Sequence, residues 1–155
     1  MGPNPPDFEL DCCRRRQGRL LERMSEMDVE LVVSCDPLNV QWLTGARYLS
    51  FFRPVATVKQ DGEVALVVPV NQGDSPPQGF AANRIVPYEG QSMATMRPDQ
   101  GVKSAAAMLD ALGHDSLPER VAVEYSACAF HWLSHLCPSP LDIEPTFQDL
   151  RRKKE

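Results

Sequence analysis

No apolar run in this chain approaches the roughly 20 residues needed to span a bilayer. The opening, MGPNPPDFELDCC, has neither the charged n-region nor the apolar h-region of a secretory signal. These absences argue against a membrane protein and lead to an expected cytoplasmic location. A basic excess is missing too. Sixteen Lys and Arg against 21 Asp and Glu leave a net charge of −5 and a pI near 5.2. No global positive field gathers phosphates or anionic lipid, so nucleic acid and membrane are not expected partners. The five cysteines are odd in number, form no C-x-x-C, and include the adjacent Cys12 and Cys13. That usage suits reduced thiols rather than a disulfide framework. The chain carries no internal repeat, low-complexity segment or internal linker.

What is present is an ordinary globular composition of 155 residues, 43% hydrophobic and 24% charged. A chain of that size buries about two-thirds of its unfolded surface as one domain. After a flexible start over residues 1–10, helical and strand-like patterns alternate across residues 11–155. Leu20, Leu21, Met24 and Met27 recur at helical spacing behind an arginine-rich face, and VELVVS (29–34) follows as a β-branched run. CDPLNVQWLTG (35–45) reads as a turn, about one helical turn, and a stop at Gly45. PVATVKQ and EVALVVPV flank Asp61-Gly62, a dipeptide suited to a tight hairpin turn. NQGDSPPQGF (71–80) reads as an exposed loop, and NRIVPYE (83–89) as a short strand that Pro87 stops early or confines to an edge.

The second half continues the alternation. PDQGVKSAAAMLDALG (98–113) predicts a helix with Val102, Ala106, Leu109 and Leu112 on one face and Gly113 at its end. RVAVE (120–124) predicts a strand, SACAFHWLSHL (126–136) a helix capped by Ser126, LDIEP (141–145) a last strand, and TFQDLRRKKE a final helix. The fold class that follows is α/β: a single domain with a mixed sheet of five to six strands and helices packed on both faces.

The stretch RLLERMSEMDVELVVSCDPLNVQWLTGAR resembles the opening of the creatinase/prolidase N-terminal domain, where a helix and a strand lead to an Asn-aliphatic-x-aromatic-x-[TS]-G turn. Asn39, Val40, Trp42, Leu43, Thr44 and Gly45 carry the match. RVAVE resembles that family's strand ending in Glu, and DLRRKKE its helix with an Arg-x-x-Lys segment leading into the catalytic domain. The resemblance runs from about Arg14 to Glu155 and implies a ribonuclease H-like fold. It also implies a larger "pita-bread" domain downstream, with two Asp, one His and two Glu holding a divalent metal pair in aminopeptidase P and prolidase. None of those ligand motifs can be assigned in this chain, for which neither a catalytic residue, a metal ligand nor a cofactor is expected.

SFFRP (50–54) resembles the Ser-Phe-x-Arg-Pro segment of creatinase, in which an aromatic and an arginine reach into the active site of the dimer partner. The resemblance implies that Phe51 flanks a substrate and Arg53 binds its carboxylate. A guanidinium matches a carboxylate in two parallel hydrogen bonds, strengthened where aromatic faces exclude water. Phe52 replaces a small residue and implies a more apolar or different substrate. The pattern alone also suits Phe51 and Phe52 alternating across a strand entry, with Arg53 over one ring in solvent. Arg47 and Tyr48 follow Gly45 and are further candidates for the same pocket, or a solvated pair.

Other constellations have plainer explanations. His131 and His135, with Cys128 and Cys137, have a spacing that permits zinc, but no H-E-x-x-H accompanies them, and Trp132, Leu133 and Leu136 make an amphipathic helix. Asp110 and Asp115 near His114 sit where polar residues cap and solvate a helix end. RRR (14–16) and RRKK (151–154) read as solvated helix faces, the second alternatively as a contact to a further domain. The expected function is therefore the non-catalytic N-terminal domain of a creatinase-like or Xaa-Pro peptidase-like hydrolase of C–N bonds. Its partners would be a homodimer mate and a small-molecule or peptide substrate. The alternative is a stand-alone small-molecule or peptide-binding module, or an interaction module, without enzyme activity.

Overall fold

Residues 6–48, 54–71, 73–90, 100–113, 117–128 and 139–153 are described by the computed structural model. Helix α1 spans Asp7–Met27 and starts four residues before the expected Asp11, placing Asp7 and Glu9 in its first turn, where the helix dipole favours acid. It ends at Asp28 in the left-handed region (φ 57°), whose backbone N–H donates to the last carbonyls of the helix. Strand β1 (Leu31–Ser34) follows, fully buried. Helix α2 (Pro37–Thr44) starts on Asp36, whose carboxylate accepts from the Leu38 and Asn39 amides, with Pro37 in the first turn. It stops at Gly45 (φ 78°), where a Cβ would strain the backbone. At eight residues it is longer than the single turn expected from the sequence.

Strands β2 (Val55–Lys59) and β3 (Val64–Val70) form the expected hairpin around Gly62 (φ 93°). Strand β4 is Arg84–Glu89, α3 is Gln100–Leu112, β5 is Val121–Val123 and α4 is Tyr125–Cys128. The two-residue strand β6 (Leu141–Asp142) and helix α5 (Glu144–Arg152) complete the chain. The sheet has six strands in the order β4-β3-β2-β1-β5-β6. β1 and β5, β5 and β6, and β3 and β4 are parallel, while β2 is antiparallel to both of its neighbours. Strand β4 lies at an edge, as Pro87 requires, yet the strand runs through Pro87 to Glu89 rather than stopping.

Alternation along the strands feeds two cores. Val32, Ala56, Val58, Val64, Leu66, Val68 and Ala122 meet Leu20 and Met24 of α1, Val40 and Leu43 of α2, and Phe147 and Leu150 of α5. Leu31, Val33, Val55, Ala65, Val67, Val121 and Val123 point the other way, onto Met108, Ala111 and Leu112 of α3. Trp42 and Phe147 pack edge to face, centroids 6.1 Å apart, joining α2 to α5.

Two sequence expectations are corrected here. The inward face of α3 is Ser104, Met108, Ala111 and Leu112, and Val102 is 69% exposed. Of the other residues expected on the inward face, Ala106 is exposed, Leu109 is half-buried and Leu112 is buried. Ser126 lies inside α4 rather than capping it, and its amide and hydroxyl both donate to Glu144. The rest of the helix expected over 126–136 lies outside the described residues.

Candidate functional site at the C-terminal end of β1

Pairing of Ser34 with Ala56 places the start of β2 beside the end of β1. Pro54, the residue that leads into β2, therefore lies beside the C-terminal end of β1. The end of α2, which precedes Gly45, is held by side chains of α1. Gln17, buried, donates from Nε2 to Leu43 O (2.8 Å) and to Ala81 O (2.6 Å). Arg16 donates to Trp42 O (3.3 Å) with its guanidinium 5.5 Å from the centre of the Trp42 ring. The bonds to Trp42 and Leu43 satisfy carbonyls that the C-terminus of α2 leaves open. Thr44 Oγ1 accepts from the Ala46 amide, and Ala46 is fully buried.

The two residues that follow diverge. Arg47 turns outward and Nη2 contacts both carboxylate oxygens of Glu9, at 3.1 and 3.2 Å. Tyr48 turns inward against the first core, and burial pushes its phenol up to about 12. They do not form a solvated pair. The other candidates, Phe51, Phe52 and Arg53, lie outside the described residues, and Pro54 is buried where the chain re-enters the sheet.

Among the described residues, the most connected polar group at this end of the sheet is Glu124, 1% exposed, just after β5. Oε1 accepts from Ser34 Oγ (2.8 Å) and Asn39 Nδ2 (2.7 Å); Oε2 accepts from the amides of Cys35 (2.6 Å) and Asp36 (2.9 Å). The two amides belong to the bend between β1 and α2, which no strand partner serves. Burial pushes the Glu124 carboxyl above its ordinary range, and the four donors pull it partly back. Asn39 then accepts at Oδ1 from Arg151 of α5 (3.2 Å). The sequence signal for this network is a glutamate closing an apolar strand, together with the Asn39 of the turn motif. It offered no way to see that the two meet.

His131, His135 and Cys137 lie outside the described residues, as do His114 and Asp115; for Cys128 only its place at the end of α4 is described. Asp110 is exposed on α3. Among the described residues no group of three or more His, Cys, Asp and Glu is placed to hold a metal ion. Cys12, Cys13 and Cys35 are free thiols. No helix among the described residues is long and apolar enough to cross a membrane. An open depression of about 320 Å³ lined by Glu30, Leu31, Lys59, Gln60, Asp61, Leu112 and Pro118 sits by the β2–β3 turn.

Comparison with known proteins agrees with this architecture. A proline dipeptidase from Streptococcus pneumoniae is 22% identical at a TM-score of 0.57, with 89% of this chain and 98% of that one aligned. Dipeptidase PepE from Mycobacterium ulcerans is 19% identical at a TM-score of 0.65, covering 94% of this chain but 38% of that one. Prolidase from Pyrococcus furiosus is 18% identical at a TM-score of 0.57, covering 87% of this chain and 35% of that one. The chain thus spans little more than a third of the last two proteins. A search of curated proteins gave no match. The family model of the Creatinase/Prolidase N-terminal domain matches residues 16–153, nearly the whole chain, and the protein belongs to that family.

Proposed function

We propose that this domain is the non-catalytic N-terminal part of a cytoplasmic hydrolase of C–N bonds, of the Xaa-Pro dipeptidase or creatinase-like kind. It would present Arg53, Phe51 and Phe52 to the substrate pocket of a partner subunit in a homodimer. The observation that supports this reading is how the flanks of residues 49–53 are held: Gln17 and Arg16 bond the end of α2, Glu9 meets Arg47, and Pro54 is buried where β2 begins. A connection fixed at both ends restricts where the residues between can reach, which lowers the ordering cost of meeting a ligand. Arg53 would take the substrate carboxylate in a bidentate pair, while the rings exclude water. Tyr48 belongs to the support of the connection, and Arg47 to its link with α1. A divalent metal pair, where the parent protein uses one, belongs to the downstream domain.

The test is to read the coding sequence past Glu155 for the Asp, Asp, His, Glu, Glu series, then assay the full gene product on Xaa-Pro dipeptides and on creatine. Loss of one charge-assisted pair predicts a fall in kcat/KM of about 10- to 100-fold for Arg53→Met. A stop codon directly after Glu155, or an Arg53→Met enzyme with unchanged kcat/KM, would overturn the proposal. The first result would favour a stand-alone binding module.

A further inference from the structure

Asn39 sits between two groups that each dictate which way its amide faces. The Glu124 carboxylate, when ionised, can only accept, and the Arg151 guanidinium can only donate. With Nδ2 on Glu124 Oε1 (2.7 Å) and Oδ1 on Arg151 Nη1 (3.2 Å), the amide satisfies both. Turned over, it would set oxygen against oxygen on one side and nitrogen against nitrogen on the other. Glu124 is itself immobile, because the Cys35 and Asp36 amides hold its other oxygen. The chain of contacts therefore runs from a rigid buried carboxylate, through one amide, to a side chain in the last turn of α5, 112 residues away from Asn39.

We propose that Asn39 is a positioning residue that docks the last turn of α5 onto the β1/β5 end of the sheet, and so sets the direction in which the chain leaves the domain. Three further observations support it. Phe147 and Leu150 bury one side of α5, but Arg151, Arg152 and Lys153 are exposed, so apolar packing reaches Leu150 and goes no further. Lys153 has already turned to extended backbone (φ −74°, ψ 112°), so the helix ends where the Arg151 contact is made. Among the described residues Arg151 meets no carboxylate, leaving Asn39 as the acceptor that orients it. This inference does not depend on the proposed function.

The experiment is hydrogen exchange and residual dipolar couplings measured by NMR on the whole chain, for the wild type, Arg151→Met, Asn39→Ser and the double variant. Arg151 is exposed, so Arg151→Met leaves the fold intact. Protection of amides 150–152 is expected to fall about tenfold in each single variant, with no further fall in the double. The couplings of those amides should change while those of β1 and β3 stay as they are. Unchanged protection in Arg151→Met overturns the proposal. So do effects of the two single variants that simply multiply, because the residues would then act independently. If Asn39→Ser does not fold, Arg151→Lys takes its place: a single ammonium cannot reproduce the guanidinium geometry, so a change in the last-turn couplings supports the relay and no change overturns it.

Discussion

Ser34 Oγ and Glu124 Oε1 lie 2.8 Å apart across the parallel strands β1 and β5, although 90 residues separate them in sequence. Both side chains point to the same face as Val32 and Ala122, the face covered by α1, α2 and α5. At this point an otherwise apolar core becomes polar. The reason is local: β1 ends, the chain bends into α2, and the bend exposes amides that need an acceptor. Glu124 provides one group that serves four donors.

Removing that group should be among the most damaging single changes in the domain. Glu124→Ala would leave two main-chain amides, a hydroxyl and a carboxamide buried without their acceptor, at about 3 kcal/mol or more. Urea unfolding should show a lower midpoint at an unchanged slope. A loss below about 1 kcal/mol would mean that water replaces the carboxylate.

The pH dependence follows from the upward shift of Glu124. A carboxyl raised on folding favours the native state while it is protonated in both states, below its unfolded value of 4.5. That contribution is lost as pH rises through the higher folded value. Stability of the wild type relative to Glu124→Gln, whose side chain does not titrate, should therefore decline as pH increases across this window. Urea midpoints for both proteins, taken at half-unit steps upward from pH 4, check it; a difference that grows in favour of the wild type has the wrong sign.

Two glycines should respond in opposite directions. Gly18 lies on the exposed side of α1, and beyond its own stretch of the helix no atom lies within 4 Å of where a Cβ would stand. Gly18→Ala should stabilise by about 0.5–1 kcal/mol, since Ala restricts the unfolded chain and suits a helix. Gly62 has φ +93° in the β2–β3 turn, and Gly62→Ala should destabilise by about 1 kcal/mol or more. Thermal or urea midpoints of the two variants check both signs.

The adjacent thiols should separate in reactivity. Cys13 is fully buried, and burial is the largest cause that raises it to about 11. Cys12 is partly exposed beside Arg15, whose guanidinium lies 3.0 Å from its sulfur. Iodoacetamide at neutral pH should label Cys12 in the native protein and Cys13 only after unfolding in urea, read by peptide mass spectrometry.

The strand and helix pattern was legible because most of it is written in local chemistry. Asp36-Pro37 starts α2, Gly45 stops it, and Asp61-Gly62 turns the hairpin, each through its own backbone preference. Local chemistry failed where packing decides. Val102 has the right spacing for a core position, yet Ser104, Met108 and Ala111 face the sheet. Phe8 and Glu9 look like part of a loose leader, but the first turn of α1 forms there and Glu9 meets Arg47, 38 residues on. Tyr48 and Arg47 look like a pair from their adjacency and are parted by the burial of one ring.

The sequence by itself determined the alternation of strands and helices, the two-faced sheet and, through Asn39 to Gly45, the family, because these depend on periodicity and on residues within one turn of each other. Only the tertiary structure decided that Glu124, Asn39 and Arg151 meet and that Glu9 in the first turn of α1 meets Arg47. Those contacts join segments 38 to 112 residues apart, and such pairings are set by strand order and helix docking, which no local pattern encodes.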